Sequence, residues 1–300
     1  MAPYVLREVS ERRVACVTRR PHAIVVALST EHGKRLERKS SRFSVEVRMG
    51  GVGASDRVEQ TMTMRVMLHG ARGRMGMRVK AACAEHPQLA RVTCQADADD
   101  ETQVFVTAGA ADIDVLIDFS TDEGARRACE LALHLRRPLL IGTTGLSDST
   151  LESAQESSQT VAVLIAPNTS LGVAVLTRLC GDAAAMLGPG YTIDVTDEHH
   201  AAKRDAPSGT ARHLGAELER RGGRVLASER FHCIRAGSIV GEHEVQFSGQ
   251  NEVLRLSHSA GSRDLFAHGA LEIAEWLRHQ GPGLHTIDQW LDQRIGARPR

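Results

Sequence analysis

Residues 197–211, which read DEHHAAKRDAPSGTA, carry a dense set of side chains that can do chemistry. Two imidazoles, an ammonium and a guanidinium lie within positions 199–204, and a Pro-Ser-Gly-Thr turn follows at 207–210. An imidazole can donate a proton near neutral pH, and the N–H groups at a helix start can bind an anion. The segment therefore indicates proton transfer to a small substrate with carboxylates, although a solvated loop with a helix cap has a similar composition.

The side chains of this segment suggest distinct roles. His199 and Lys203 are the candidate proton donors, and the sequence leaves open which of them gives the decisive proton. Lys203 and Arg204 supply positive charge opposite substrate carboxylates, while the Ser-Gly-Thr turn at 208–210 offers backbone donors. Asp205 either orients Lys203 or caps the helix that follows, and both roles stay open.

A strand is expected to lead into this segment, at 191–196, and an amphipathic helix to follow it, at 211–220. From Met64 onwards, short apolar strands alternate with helical stretches, which predicts an α/β fold with a Rossmann-like parallel sheet. Such sheets bind ligands at the carboxyl ends of their strands. The predicted strands are 65–68, 92–96, 114–119, 138–141 and 161–166, and the predicted helices end near 85 or span 122–135 and 147–157.

A long predicted helix at 170–187 separates this part from closely spaced strand candidates at 231–235, 244–247 and 253–258. Their spacing predicts a smaller α+β domain with a mixed or antiparallel sheet. Helical stretches at 264–279 and 287–291 are expected to pack back on the first domain. We therefore expect a dinucleotide-binding domain at 64–169, a substrate-binding and oligomerisation domain at 170–262, and a C-terminal return at 263–300.

The first 63 residues have a different character, with paired arginines, a mixed-charge stretch and a glycine-rich run at 49–53. They lack the periodic apolar pattern of a packed domain, and their glutamates argue against a transit peptide. We expect this part to be a disordered or mis-assigned extension, with the functional chain beginning at Met62 or Met64.

Composition restricts the class of protein further. The length of 300 residues predicts about two domains. Lys and Arg together number 37, as do Asp and Glu, and this zero net charge argues against a nucleic-acid partner. The six cysteines lack any metal-like spacing, so we expect free thiols and no metal site. The longest apolar run near the N-terminus, at 23–28, is too short to span a bilayer, and we expect a cytoplasmic protein without a membrane partner.

A glycine loop follows the first strand of the alternating series. Gly70, Gly73 and Gly76 have the spacing GxxGxxG, one residue displaced from the GxGxxG dinucleotide fingerprint. The same physics applies, because the glycines allow a tight turn, close approach to a pyrophosphate and close helix packing. We therefore predict that NADH or NADPH binds at Gly70, Ala71, Arg72, Gly73, Arg74 and Met75.

Later strand ends complete the predicted nucleotide site. Gln95 and Asp97 lie where the ribose-binding acid is expected, and no Lys or Arg follows closely, so NADH should serve at least as well as NADPH. Arg72 or Arg74 nevertheless remains within reach of a 2′-phosphate. Asn168 either bonds the nicotinamide carboxamide or caps the next helix, and capping is favoured. The predicted contacts in this region are Gly142, Thr143, Thr144, Ala166, Pro167, Asn168 and Thr169.

Together these motifs resemble the family of 4-hydroxy-tetrahydrodipicolinate reductase, also called dihydrodipicolinate reductase, of the diaminopimelate route to lysine. The resemblance extends from Met64 to about Leu291, and its motifs occur in the family's order. The segments that carry it are GARGRMG at 70–76, DFS at 118–120, GTTG at 142–145, APN at 166–168, EHH at 198–200 with Lys203, DAPSGTA at 205–211, GEHEV at 241–245, SR at 262–263 and FAHGA at 266–270.

The resemblance implies a reductase that hydrogenates a cyclic unsaturated dicarboxylate with NADH or NADPH, and a homotetramer built through the second sheet. It identifies His199 as the proton donor and acceptor and Lys203 as the catalytic lysine. It also implies that His200 contacts the substrate and that Gly209 and Thr210 bind a substrate carboxylate. Ser208, in the same turn, is a further substrate-binding candidate.

The sequence departs from the family at the nucleotide site, where Gln95 occupies the acidic position and Ala96 the basic one that follows it in some members. This leaves the nucleotide preference open. Two other functions are compatible with the glycine loop, an amino-acid dehydrogenase-like enzyme and a non-catalytic nucleotide sensor. Neither requires the His-His-x-x-Lys and Pro-Ser-Gly-Thr segments together, and their joint presence favours the reductase.

Overall fold

The structure, a computed structural model, describes residues 13–20, 23–29, 63–97, 112–223 and 225–296. A first unit, Met1–Val58, contains the antiparallel strands β1 (Arg13–Arg20) and β2 (Ala23–Ser29), which the sequence pattern did not predict. The rest of the expected N-terminal extension, including the suggested start at Met62, lies outside the described residues.

The second unit, Glu59–Arg300, is built on a six-stranded parallel sheet. In chain order its strands are β3 (Met64–His69), β4 (Ala90–Ala96), β5 (Val115–Asp118), β6 (Leu139–Ile141), β7 (Ala162–Ile165) and β12 (Gly283–His285). Across the sheet the order is β12-β7-β6-β5-β3-β4, with every pair parallel. The predicted Rossmann-like α/β fold is therefore confirmed.

Helices cover both faces of this sheet. The helices α1 (Arg74–Glu85), α6 (Asp264–Leu277) and α7 (Ile287–Gly296) contribute to one apolar cluster with β3, β5 and β7. The helices α2 (Asp122–Leu135) and α3 (Asp148–Ser158) contribute to a second cluster on the other face. Because both faces are covered, the central strands β5 and β6 are buried along their whole length. The helix α6, which follows the mixed sheet in the chain, thus packs back on one face of the parallel sheet.

A second sheet has four strands in the order β11-β10-β8-β9. Its strands are β8 (Thr192–His199), β9 (Phe231–Arg235), β10 (Glu242–Ser248) and β11 (Val253–Ser259). The β8 and β9 strands are parallel and the other pairs are antiparallel, so the sheet is mixed, as predicted. The helices α4 (Leu171–Leu187) and α5 (Gly209–Gly222) cover one face of it with a third apolar cluster.

The segment Leu171–Gly190, which contains α4, has the length and hydropathy of a membrane-spanning helix, although the sequence reading predicted no such segment. Its residues Leu176, Cys180 and Ala183 are buried in the cluster under the mixed sheet. Burial also raises the pKa of the Cys180 thiol to about 12, so this thiol is inert. Within the described residues, α4 is a core helix of its own domain.

Most predicted elements agree with the structure to within a few residues, but two differences affect the site. The strand predicted at 191–196 continues to His199, so Asp197 and His199 lie on β8 and not in the loop after it. The edge strand β12 was not predicted, because three residues with an exposed Leu284 carry no readable period.

Candidate active site

The alternation of β8 brings Asp197 and His199 to one face of the mixed sheet. Successive side chains of a strand point to opposite faces, so Asp197 and His199 continue the buried row that begins with Ile193 and Val195. That row faces α4 and α5. Two chemically active side chains therefore occupy positions where the strand pattern otherwise places apolar residues.

Neighbouring strands add two further charged or polar groups to the same face. The register places His243 of β10 opposite Asp197, and Arg235 of β9 opposite His199. Residues paired across a sheet point to the same side, so four polar side chains converge. The His199 and His243 rings lie edge to face, with centroids 5.2 Å apart.

Asp197 is the centre of this group and is fully buried. Its Oδ2 accepts hydrogen bonds from Arg235 Nη2 and from the Ser208 backbone N–H, both at 2.8 Å. Its Oδ1 lies 3.0 Å from His199 Nδ1 and 3.3 Å from His243 Nε2. Burial by itself raises the pKa of the Asp197 carboxyl, but the contacts with the two histidines, Arg235 and Ser208 outweigh it and lower the pKa well below its usual range.

The same carboxylate and histidines have the side-chain types of a metal site, and their nearest ligand atoms lie within 4.8 Å of one another. The guanidinium of Arg235, bonded to the same carboxylate, would oppose a second positive charge here. We therefore interpret the group as an ion-pair and hydrogen-bond cluster centred on Asp197, and not as a metal site.

In the loop after β8, Lys203 is paired with Asp205. Lys203 Nζ lies 2.8 Å from Asp205 Oδ1, and this contact lowers the pKa of the Asp205 carboxyl. Asp205 thus orients Lys203 and does not cap the following helix, which decides an alternative that the sequence left open. His200 Nε2 lies 3.1 Å from Arg263 Nη2, and desolvation together with the Arg263 charge lowers the pKa of His200. His200 is therefore neutral at neutral pH.

The Ser-Gly-Thr turn opens α5, and Ser208 is its N-cap, with Oγ accepting from the Ala211 N–H at 3.1 Å. Gly209 is exposed, and a Cβ there would meet no atom within 4 Å. Thr210 Oγ1 accepts a hydrogen bond from Asn168 Nδ2 at 2.9 Å. The turn therefore presents an open helix start beside the carboxyl end of β7.

Asn168 does not cap α4, although capping was favoured from the sequence. The N-cap of α4 is Ser170, whose Oγ accepts from the Val173 N–H at 3.2 Å. Asn168 Oδ1 instead accepts from the Ser170 N–H at 2.9 Å. The sequence could not distinguish the two candidates, because serine and asparagine are both good N-caps. The structure shows that Ser170 caps the helix and that Asn168 contacts Thr210.

The rest of this strand end is packed inward. Thr169 is buried, and its hydroxyl donates to the Phe266 carbonyl at 2.6 Å. Ala166 is buried as well, while Pro167 is exposed. Of the contacts predicted at 166–169, Pro167 and the partly buried Asn168 are thus the accessible ones.

The glycine loop has the geometry that the sequence predicted. Gly70 has φ +79°, and a Cβ there would lie 2.3 Å from the Phe119 carbonyl oxygen. A Cβ on Gly76 would lie 2.2 Å from the Gly70 carbonyl oxygen. The N-cap of α1, Gly73, provides no side-chain cap, and the first turn contains no acid, so its amide groups are left for an outside partner. Exposed Arg72 and Arg74 flank this helix start, while Ala71 is buried and Met75 is half-buried.

The end of β4 makes contacts that the sequence did not predict. Asp97 Oδ1 accepts a hydrogen bond from the Arg72 N–H at 3.1 Å, so this carboxylate supports the glycine loop. Gln95 Oε1 lies 3.4 Å from Lys80 Nζ on α1. A cation therefore lies beside the position predicted for the ribose, and the sequence pattern did not show it because Lys80 is distant from Gln95 along the chain.

The turn at 142–145 does not offer both of its hydroxyls, which corrects the sequence reading. Thr143 is buried, donates to Asp118 Oδ2 at 2.6 Å and accepts from the Ser120 N–H at 2.8 Å. Asp118 also lies 2.9 Å from His69 Nδ1. A Cβ on Gly142 would meet the Phe119 ring. Of the two threonines, only Thr144 is exposed.

A depression of about 570 Å³ lies elsewhere, lined by His86, Leu89, His268, Glu272 and Arg278. It opens between the end of α1 and α6, away from His199 and the glycine loop. Its lining contains none of the residues of the β8 group, which we take as the candidate active site.

Comparison with known proteins gives the family. The family model described as "Dihydrodipicolinate reductase, N-terminus" matches residues 64–169, and the one described as "Dihydrodipicolinate reductase, C-terminus" matches residues 172–291. The chain belongs to the dihydrodipicolinate reductase family. The 4-hydroxy-tetrahydrodipicolinate reductase of Stenotrophomonas maltophilia (strain R551-3) is 41% identical over 234 residues, which cover 75% of this chain and 96% of the relative.

Other relatives agree. The 4-hydroxy-tetrahydrodipicolinate reductase of Caldanaerobacter subterraneus subsp. tengcongensis is 36% identical over 249 residues, covering 76% of this chain and 98% of the relative. A dipicolinate-bound dihydrodipicolinate reductase from Paenisporosarcina sp. TG-14 has the same fold, with a TM-score of 0.60, 20% identity, and coverage of 75% of this chain and 98% of that structure. This reductase is therefore an oxidoreductase of the diaminopimelate route to lysine that uses NADH or NADPH.

Proposed function

We propose that His199 delivers the proton that completes the reduction of 4-hydroxy-tetrahydrodipicolinate, with Lys203 supplying positive charge and a second proton source. His199 is nearly buried, at 9% exposure, which removes competing water from the transfer. Lys203 is held by Asp205 at 2.8 Å, which restrains its position in the loop after β8. His200, kept neutral by Arg263, is suited to a hydrogen bond with substrate and not to proton delivery.

Substrate carboxylates would bind at the start of α5. Ser208 fixes this helix start through its cap to Ala211, and Gly209 leaves space in front of the first amide groups. Helix N–H groups and the dipole favour a negative charge at this position. Thr210 adds a hydroxyl, and Lys203 adds an ammonium from the preceding loop.

The glycine loop would hold the dinucleotide. The uncapped start of α1 and exposed Arg72 and Arg74 fit a pyrophosphate. At positions 70 and 76 only glycine fits, because a Cβ would clash with backbone atoms. Asn168, Pro167 and Thr144 are the accessible groups near the nicotinamide end. When bound, the cofactor supplies hydride, and the residues of this chain supply orientation, charge and the proton.

One observation carries this proposal, the hydrogen bond from Asn168 Nδ2 to Thr210 Oγ1 at 2.9 Å. It joins the carboxyl edge of the parallel sheet, where such folds bind nucleotides, to the turn that would bind the substrate. A hydride donor on one side and an anion on the other would thus be neighbours.

Substitution tests the roles of the two donors. We expect His199→Ala to lower kcat by about 100-fold or more at unchanged NADH KM, because general acids contribute on this scale. Lys203→Ala should lower kcat and raise the KM for substrate. His232→Ala, which removes a histidine paired with Asp194 outside the site, should behave as wild type. The assay follows NADH and NADPH oxidation with the product of the preceding synthase, and a wild-type kcat in His199→Ala would refute the assignment.

We also propose self-association through the uncovered face of the mixed sheet, and a cytoplasmic location. Among the described residues, helices α4 and α5 cover one face of this sheet, and on the other face Ile234 is 45% exposed. An uncovered sheet face of this kind is a typical association surface. Light scattering should give a tetramer for the wild type and a smaller species for Ile234→Glu, and cell fractionation tests the location.

A further inference from the structure

We propose that Asp197 is a positioning residue, which holds His199 Nδ1 so that Nε2 faces the substrate, and which fixes the Ser208 turn with its other oxygen. The inference rests on the proposed role of His199 as proton donor. One buried carboxylate thereby fixes the position of both the proton donor and the anion-binding turn.

The first support is the placement of Asp197 on the strand. It is fully buried, and a buried carboxylate costs several kcal/mol unless charged and polar groups compensate it. An apolar residue would fit the alternation of β8 with Ile193 and Val195 at lower cost. An acid at this position is therefore explained by what it does to its neighbours.

A second support is the pair of incompletely bonded atoms between Asp197 and His199. Asp197 Oδ1 and His199 Nδ1 are buried and lie 3.0 Å apart, but neither atom forms a hydrogen bond of good geometry. Catalytic hydrogen bonds are often poorly aligned before substrate binds. A small rotation of the ring aligns Nδ1–H with Oδ1, which fixes the tautomer and stabilises the imidazolium form.

A third support comes from the opposite edge of the His199 ring. A Cβ on Gly241 would lie 3.2 Å from Nε2, so the glycine leaves this nitrogen uncrowded. With Nδ1 directed at Asp197, Nε2 is the atom that exchanges the proton with substrate.

The other carboxylate oxygen extends the effect to the turn. Asp197 Oδ2 accepts from the Ser208 N–H at 2.8 Å, and Arg235 Nη2 bonds both this oxygen, at 2.8 Å, and the Asp205 carbonyl, at 2.7 Å. The positions of the proton donor and of the carboxylate site are thereby coupled through one side chain.

The decisive variant is Asp197→Asn, which keeps the shape and removes the charge. We expect kcat to fall by about tenfold or more, because a mis-set tautomer removes much of the general-acid effect. The decline of kcat at high pH should move to lower pH by about one unit, because loss of an anion makes an imidazolium easier to deprotonate. The titratable or charged side chains that face Asp197 are His199, Arg235, Cys233, His243 and, beyond His243, His258.

Asp194→Asn is the matched control. Asp194 also lies on β8 and also contacts a histidine, His232, at 2.9 Å, but outside the site. It should leave both kcat and the pH profile at wild-type values. Because Asp194 is 21% exposed and Asp197 is fully buried, Asp194→Asn controls for the loss of a β8 carboxylate beside a histidine, and the double-mutant comparison tests for an effect of burial.

A double-mutant comparison separates positioning from structure. If Asp197 acts through His199, Asp197→Asn should change kcat less than about twofold when His199 is already alanine. Equal losses in both backgrounds, or an unshifted pH profile in Asp197→Asn, would overturn the inference. A wild-type kcat in His199→Ala would instead overturn the proposed function itself.

Gly241→Ala keeps the inference testable if Asp197→Asn does not fold. The new methyl group crowds His199 Nε2 without touching Asp197, so kcat should fall at least severalfold while Tm changes little. Wild-type kcat in this variant would show that Nε2 is not the atom that meets the substrate.

Discussion

Replacing Gly76 with alanine is expected to damage nucleotide binding through the backbone. Gly76 lies in the first turn of α1, and a Cβ there would be 2.2 Å from the Gly70 carbonyl oxygen and 2.7 Å from Ala71 Cα. Ordinary contacts begin near 3.4 Å, and both obstacles are backbone atoms that cannot rotate away. The helix start must therefore move by about 1 Å away from the loop.

The magnitude follows from two opposing effects. Alanine in a helix is favoured over glycine by about 0.5–1 kcal/mol, while overpacking costs about 1–3 kcal/mol. The net loss of about 1–2 kcal/mol should lower Tm by about 2–8 °C for a domain of this size. Because the moved helix start is the proposed pyrophosphate site, the KM for NADH should rise about tenfold or more.

Two matched glycines calibrate this result. A Cβ on Gly73 would lie 3.1 Å from the same carbonyl, so Gly73→Ala should have a small effect. A Cβ on Gly181, within α4, would meet the Arg221 and Glu217 side chains, away from the glycine loop, so Gly181→Ala should leave the KM for NADH unchanged. Thermal unfolding gives Tm, and initial rates at varied NADH concentration give the KM for NADH. A Gly76→Ala enzyme with wild-type KM and Tm would refute the close-packing argument.

Three further predictions concern single contacts. Lys80→Ala should raise the KM for NADPH more than that for NADH, because Lys80 lies beside Gln95 at the position predicted for the ribose, and equal changes would exclude this role. Ser208→Ala should lower the free energy of unfolding by about 1 kcal/mol in urea titrations through loss of the α5 cap, and an unchanged midpoint would contradict it. The hydrogen bonds with Arg65 lower the pKa of the Asp114 carboxyl. The contribution of Asp114 to stability is therefore present above about pH 4 and is lost as the pH falls below that value. Asp114→Asn should show a smaller drop in urea midpoint between pH 7 and pH 3 than the wild type.

Local sequence patterns were sufficient for the fold, because each element carries its own signal. The apolar runs of β5 and β6 and the GxxGxxG loop are readable within a few residues, and they gave the parallel sheet and its nucleotide edge. The His-His-x-x-Lys and Pro-Ser-Gly-Thr segments likewise lie within fifteen residues and gave the candidate donors. The edge strand β12 was not readable, since it is short and depends on pairing with β7.

The role of a residue was harder to predict from the sequence where it depends on a partner distant along the chain. Asn168 was favoured as the cap of the next helix, which Ser170 caps instead, and the Thr143 hydroxyl was expected to be free but donates to Asp118. Lys80 was overlooked for the same reason. A side-chain type shows which bonds a residue can make, and only its neighbours show which bonds it does make.

The amino-acid sequence alone determined the family, the two-sheet architecture and the reactive residue types around His199. Tertiary structure alone decided the centre of the site. Asp197 becomes significant only when the register of β8 with β9 and β10 places Arg235 and His243 beside it and α5 places the Ser208 amide on its second oxygen. Strand register is fixed by the burial of a whole face, so it is a property of the packed sheet and not of any one strand.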